Sequence, residues 1–168
     1  MSREAQAEPS ILFLRPGEMT VSGEPSIVST LLGSCVAVTL FSPRQRLGAI
    51  CHALLPRCRS DEPCLHEHAE AGRYVECAVR QMLEQMLARG AAKNEIQAKV
   101  FGGSDMFDAL QGRSRSVGRQ NIEMALKMLE SEGVRILKQD LGGRRGRKII
   151  FHTHTGEVFL RRLRKTES

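Results

Sequence analysis

The chain has 168 residues, of which 41% are hydrophobic and 26% are charged, a composition typical of one soluble globular domain. It has no Trp and a single Tyr, which excludes nucleic-acid recognition by a platform of stacked aromatic side chains. Residues 1–10 lack the basic start and apolar core of an export signal, and no apolar run is long enough to cross a membrane. We therefore expect a cytoplasmic protein, with a flexible tail over residues 1–10 and one domain over residues 11–168.

The first predicted elements form a β-hairpin. Residues 27–41 are rich in β-branched side chains and predict a strand interrupted at Gly33-Ser34. A polar turn over residues 42–45 leads to a second apolar run over residues 47–55. Two such runs joined by a short turn indicate an antiparallel pair.

The rest of the chain predicts two helices and four further strands. Apolar residues recur every third or fourth position over residues 74–87, which indicates a helix that Gly90 ends. A second helix is expected over residues 117–132, ending at Gly133. Strands are expected over residues 96–101, 134–139, 148–151 and 158–163. Six strands and two helices that do not alternate regularly favour an α+β fold with a mixed or largely antiparallel sheet system.

The hairpin brings a thiol and an imidazole together. If residues 42–45 form the turn, Phe41 pairs with Arg46 and Cys35 lies opposite His52, close enough for a thiolate–imidazolium contact. This inference depends on the register. Gly33 would let a substrate approach the backbone, where amide N–H groups could hold an oxyanion. A buried cysteine beside a bend, with no chemical role, is the alternative interpretation.

Several segments resemble the CheD family of chemoreceptor glutamine deamidases. The matching segments span most of the chain in the family's order: Leu32-Gly33-Ser34-Cys35-Val36-Ala37-Val38, Gly48-Ala49-Ile50-Cys51-His52-Ala53-Leu54-Leu55-Pro56, Lys99-Val100-Phe101-Gly102-Gly103, Gly118-Arg119-Gln120-Asn121, Gly146-Arg147-Lys148-Ile149-Ile150-Phe151 and Thr155-Gly156-Glu157-Val158. The resemblance implies a layered sandwich of mixed or antiparallel sheets with helices packed outside, similar to the catalytic domains of bacterial toxin deamidases.

The resemblance also implies a catalytic set. The family's nucleophile falls on Cys35 and its histidine on His52. The family's third member, a Thr six residues before the Cys, falls on Ser29, with Thr30 as the neighbouring alternative. The implied reaction converts glutamine side chains of chemoreceptor cytoplasmic domains to glutamate through a Cys35 thioester, without a metal or organic cofactor. Hydrolysis of receptor methyl esters and binding of the chemotaxis phosphatase CheC are further family properties.

Two other functions compete with a deamidase. A regulatory or interaction protein could hold zinc through residues of one short stretch, although no Cys-x-x-Cys pair is present. The candidate ligands are Cys51, His52, Cys58, Cys64, His66 and His68. The net charge of +6 is concentrated at residues 144–148 and 161–165, which are either solvated segments or a surface for an acidic partner. Binding of nucleic acid is not expected, because neither predicted helix is basic along one face.

Overall fold

The computed structural model describes residues 8–58, 70–105 and 116–164. Within them, nine strands form two sheets and two helices pack on one of the sheets. Four strands form sheet A: β1 (Ser10–Phe13), β3 (Ser26–Leu32), β8 (Arg147–His152) and β9 (Val158–Arg162), in the order β1-β3-β8-β9. Five form sheet B: β2 (Met19–Ser22), β4 (Val36–Ser42), β5 (Leu47–Ala53), β6 (Gln97–Gly102) and β7 (Arg135–Leu141), in the order β2-β5-β4-β6-β7.

Both sheets are mixed. In sheet A, β1 runs parallel to β3, whereas β3–β8 and β8–β9 are antiparallel. In sheet B only β6 and β7 are parallel. The predicted α+β class with mixed sheets is therefore confirmed.

The two helices begin and end close to where the apolar periodicity predicts. Helix α1 spans Val75–Ala88 and α2 spans Val117–Ser131. Gly90 and Gly133 have φ values of 97° and 67°, the left-handed conformation that ends a helix and that side chains with a Cβ rarely adopt. Neither helix is long and apolar enough to cross a membrane.

Three layers result from the distribution of apolar side chains. One core lies between the sheets and includes Val28, Ile50, Phe101 and Phe151. A second core lies between the other face of sheet B and the two helices. Strand β4 is buried along its whole length because it is central in sheet B and covered on both faces. The sandwich with helices outside matches the expected architecture.

The strand expected over residues 27–41 is in fact two strands, β3 and β4, which belong to different sheets. The chain leaves sheet A after Leu32 and enters sheet B at Val36. Strands β1 and β2 are edge strands that the sequence did not predict. Of the expected tail, residues 1–7 lie outside the described part of the chain, and β1 begins at Ser10.

Candidate active site

The segment of residues 33–35, here called the nucleophile loop, connects the two sheets. The Gly103 N–H donates to the Cys35 carbonyl (2.9 Å) and the Ser104 N–H donates to the Gly33 carbonyl (3.0 Å). Gly102 has a φ of 105°, and a Cβ atom there would collide with the Cys35 carbonyl oxygen. The end of β6 can lie this close to the loop only because residue 102 is a glycine.

The hairpin of β4 and β5 is confirmed, but its register is two residues away from the predicted one. Ala37 pairs with His52, so the predicted pairs Phe41–Arg46 and Cys35–His52 are wrong. A shift by an even number of residues leaves every side chain on its expected face. Cys35 precedes Ala37 by two residues and packs against the core between the sheets, into which His52 also projects. Cys35 lies one residue before β4, and its side chain and that of His52 face the same core between the sheets.

Thr30, rather than Ser29, contacts His52. The Thr30 Oγ1 lies 2.6 Å from the His52 Nδ1. Thr30 is fully buried with Val28 and Leu32 on the inner face of β3, whereas Ser29 is half-buried on the opposite face. The expected contact of Ser29 with His52 is therefore wrong. Ser29 belongs to β3 and Cys35 to the loop that follows it, so the two residues share no strand face.

The hydrogen bonds of Thr30 determine the tautomer of His52. The Thr30 hydroxyl donates its single proton to the Leu14 carbonyl (2.7 Å). Its oxygen can then only accept from the imidazole, so the His52 Nδ1 carries the hydrogen. The Nε2 is left with a lone pair. This arrangement gives His52 a basic nitrogen on the side away from Thr30.

Burial disfavours charge on both the thiol and the imidazole. It raises the pKa of the Cys35 thiol, an effect partly offset by a hydrogen bond from the residue's own backbone. It lowers the pKa of His52 to about 4, and the ring is 2% exposed. At neutral pH the pair is therefore thiol and neutral imidazole, and the expected thiolate–imidazolium contact is not its resting state.

Asn121 links the two parts of the site. Its Nδ2 donates to the Ser34 carbonyl (3.1 Å) and to the Leu54 carbonyl (2.9 Å). Ser34 lies in the nucleophile loop and Leu54 follows the strand that holds His52. Asn121 is fully buried and belongs to the apolar stripe of α2 with Ala125 and Leu129. A polar residue within an apolar stripe is a signal that sequence reasoning could have used, and Asn121 was given no role.

The zinc candidates do not converge within the described residues. Cys51 packs against the helices, whereas His52 points from the other face of β5 into the core between the sheets, so the two cannot share an ion. In the described ranges no group of three His, Cys, Asp or Glu side chains is placed to hold a metal. The thiols of Cys35 and Cys51 are free, and Cys77 is disulfide-bonded. Cys64, His66 and His68 lie outside the described residues.

Comparison with known proteins gives one consistent family. The family model described as CheD chemotactic sensory transduction matches residues 54–162. The probable chemoreceptor glutamine deamidase CheD 2 of Geobacter sulfurreducens is 44% identical over 94% of this chain and 92% of its own length. A probable CheD of Maridesulfovibrio salexigens is 40% identical over 92% of each chain. The Bacillus licheniformis hypothetical protein YfiH covers 73% of this chain and 50% of its own, with a TM-score of 0.48 and 13% identity, too remote to carry an argument.

Proposed function

Because the chain belongs to the CheD family, we propose that it is a protein-glutamine glutaminase that deamidates glutamine side chains of methyl-accepting chemoreceptors. The observation that carries this proposal is the contact between Thr30 and His52, beside a half-buried free thiol at Cys35. A thiol nucleophile, a basic nitrogen and a group that orients the imidazole are the parts required for acyl transfer.

The reaction starts from the neutral pair. As the glutamine carboxamide approaches, the Cys35 thiol gives its proton to the His52 Nε2 and the sulfur attacks the carbonyl carbon. The resulting imidazolium donates this proton to the amide nitrogen, and the C–N bond breaks to release ammonia. The low pKa of His52 favours this donation, because a weakly basic imidazole gives up its proton readily. A water molecule, deprotonated by the same nitrogen, then hydrolyses the thioester to glutamate and restores the thiol.

Backbone amides of the nucleophile loop are suited to stabilise the oxyanion. Cys35 lies opposite Gly103, whose N–H donates to the Cys35 carbonyl. The reciprocal bond, from the Cys35 N–H to Gly103, is not among the backbone hydrogen bonds of the described residues. An amide without this partner, next to the attacking sulfur, can point at the negative charge that develops on the substrate oxygen. The same chemistry would hydrolyse a glutamate methyl ester, with methanol as the leaving group.

The deciding experiment is mass spectrometry of a receptor cytoplasmic fragment incubated with the protein. We expect the mass gain of Gln to Glu, release of ammonia, and loss of both with Cys35→Ala at an unchanged melting temperature. The matched control is Cys58→Ala, which also removes a half-buried cysteine side chain but lies outside the site. Turnover by Cys35→Ala would contradict the proposal. The resemblance further supports a cytoplasmic location and CheC as a partner, which co-purification of the two proteins tests.

A further inference from the structure

Two arginine-rich segments that are distant in sequence meet in the structure. One is the turn of residues 142–146 before β8, and the other is the end of β9 with residues 163–164. The Leu163 N–H donates to the Gly146 carbonyl (2.8 Å), and the Arg145 Nε donates to the Leu163 carbonyl (2.8 Å). The two basic clusters of the sequence are therefore one surface. We call its exposed side chains, Arg144, Arg145, Arg161 and Arg164, the basic rim.

Hydrogen bonds connect this surface to the nucleophile loop. The Gly142 N–H donates to the Gly102 carbonyl (2.9 Å), and the Asp105 N–H donates to the Gly143 carbonyl (2.7 Å). The same stretch after β6 binds the loop through Gly103, whose N–H donates to Cys35 (2.9 Å). The basic rim thus lies at the end of the sandwich that holds the half-buried Cys35, and the residues after β6 connect it to the nucleophile loop.

Positive charge exceeds negative charge among the described residues of this surface. The Arg147 Nε donates to one oxygen of Asp140 (2.7 Å), and Arg162 donates to the other (2.6 Å), so one carboxylate serves two guanidinium groups. Two successive cross-strand pairs of β8 and β9 carry like charges, Arg147 with Arg162 and Lys148 with Arg161. Asp140 offsets the repulsion within the first pair, and the surface still has more cationic than anionic side chains, which favours an acidic ligand.

An exposed apolar side chain lies within the same surface. Leu31 is 47% exposed and pairs with Lys148 across β3 and β8, so the row Leu31–Lys148–Arg161 runs across the outer face of sheet A. Leu31 precedes Cys35 by only four residues. An exposed apolar side chain bordered by cations therefore lies in the strand that leads into the nucleophile loop.

We propose that the basic rim binds acidic side chains that flank the target glutamine, so that the enzyme selects glutamines within acidic segments of its protein substrate. This inference rests on the proposed deamidase function and adds the chemistry by which the substrate is recognised. Exposed charges act mainly on encounter and on binding, so the selection resides in kcat/KM and weakens as salt screens the interaction.

The test uses three synthetic peptides of equal length, each with one central glutamine flanked by Glu, by Ser or by Lys. Ammonia release gives kcat/KM at low and at high ionic strength. For the unmodified protein we expect the Glu-flanked peptide to exceed the Lys-flanked peptide by about tenfold or more at low salt, as two or three exposed charge contacts allow. High salt should reduce this ratio. The double variant Arg145→Gln, Arg164→Gln should bring the three peptides close together.

Arg44→Gln is the matched control, since Arg44 is an exposed arginine in the turn at the far end of β4 and β5. Its peptide preference should equal that of the unmodified protein. Deamidation of all three peptides at equal, salt-independent rates would overturn the inference while leaving the deamidase function intact. Absence of deamidation in the peptides and in a receptor fragment would instead remove the proposed function itself. A third outcome is that the peptide rates are equal, the unmodified protein binds a DNA oligonucleotide tightly, and the double variant does not bind it. The basic rim would then be a nucleic-acid surface, and the inference would be overturned.

Discussion

At the scale of single residues, Thr30 takes the position that a carboxylate holds in many nucleophile–histidine triads. Its hydroxyl donates to the Leu14 carbonyl and accepts from the His52 Nδ1, which fixes the tautomer of the ring. Unlike a carboxylate, it adds no negative charge to stabilise an imidazolium. The pKa of His52 therefore stays low, at about 4. In the proposed reaction, His52 thus holds the thiol proton only briefly and passes it to the departing ammonia.

Thr30→Val tests this role, because it keeps the shape of the side chain and removes the hydroxyl. The His52 Nδ1 and the buried Leu14 carbonyl both lose their partner, which costs about 1–3 kcal/mol of unfolding free energy. The ring also loses its fixed tautomer, and we expect kcat to fall about tenfold or more. Thr30→Ser keeps the hydroxyl and should recover most of the activity.

Ser29→Ala is the matched control for Thr30→Val. Its side chain lies on the opposite face of β3 and contributes to neither hydrogen bond, so turnover and melting temperature should hardly change. Single-turnover kinetics and thermal unfolding on the three variants separate the two residues. A large loss of turnover in Ser29→Ala, with normal turnover in Thr30→Val, would show that the imidazole is held differently.

At the scale of elements, the site depends on the nucleophile loop, which connects the two sheets and is stabilised by α2. The nucleophile loop has no strand partner of its own in sheet A or sheet B. It is bound by the end of β6 and by Asn121, whose amide bridges the Ser34 and Leu54 carbonyls. Helix α2 packs closely enough for this contact because residue 118 is a glycine. A Cβ atom there would collide with the carbonyl oxygens of Gly103 and Ser104. Asn121 is a positioning residue, since it acts on the thiol through the loop.

Asn121→Ala should remove the donor from two partly buried hydrogen bonds, to the Ser34 and Leu54 carbonyls, and release the loop. We expect unfolding free energy to fall by about 1–3 kcal/mol and kcat to fall more than KM rises, because the misplaced sulfur reacts poorly even with bound substrate. Alkylation of Cys35 should become faster in this variant, since a released loop exposes the thiol. Asn121→Asp, which cannot donate these bonds when ionised, should not restore activity.

Lys127→Ala is the control on the same helix, because Lys127 is exposed. It should leave kcat and the rate of Cys35 alkylation at their original values. If an Asn121 variant is less stable but keeps the original turnover and the original rate of Cys35 alkylation, Asn121 only stabilises the fold and does not position the thiol.

Elements with strong local signals could be predicted from the sequence. The apolar stripe and Gly90 determine the extent of α1, and the polar turn determines that β4 and β5 form a hairpin. The edge strands β1 and β2 were missed because their side chains are all exposed or all half-buried, so they lack the alternation by which a strand is recognised. Central strand β4 also lacks it, since both of its faces are buried.

The third member of the site could not be assigned from the sequence because it depends on non-local geometry. Counting six residues back from Cys35, as the family resemblance implies, favoured Ser29. The chain instead crosses between sheets at residues 33–35, so a face of β3 has no fixed relation to a face of β4. The same limit applies to the hairpin register. The turn lies one residue later than predicted, at residues 43–46, which shifts the pairing by two residues without altering which face His52 occupies.

At the scale of the whole molecule, the site exists only while the two sheets remain packed together. Thr30 comes from sheet A and His52 from sheet B, and they meet within the core that also contains Val28 and Phe151. The packing that brings them together removes the imidazole from water. Burial of this neutral ring therefore links the acid–base chemistry of the site to the stability of the fold.

This link predicts a specific loss of stability in acid. The pKa of His52 is about 4 in the folded protein, against an ordinary value of 6.5. At pH values above 6.5 the ring is neutral in the folded and in the unfolded protein, so it contributes nothing to the pH dependence of stability. As the pH falls below 6.5, the unfolded chain takes up a proton that the folded protein does not, so stability decreases until the folded ring also titrates near pH 4. Between pH about 7 and about 4.5 the loss should be about 2 kcal/mol.

Urea unfolding of the unmodified protein and of His52→Asn at both pH values isolates this contribution from that of the carboxylates. The carboxylates titrate in both proteins, so they cancel in the comparison. His52→Asn should be less stable at neutral pH, because Asn fills the site poorly, but its stability should fall less on acidification, by about 2 kcal/mol. Equal falls in the two proteins would mean that His52 binds a proton in the folded state at its ordinary pH, and the neutral pair from which the proposed reaction starts would then have to be replaced by an ion pair.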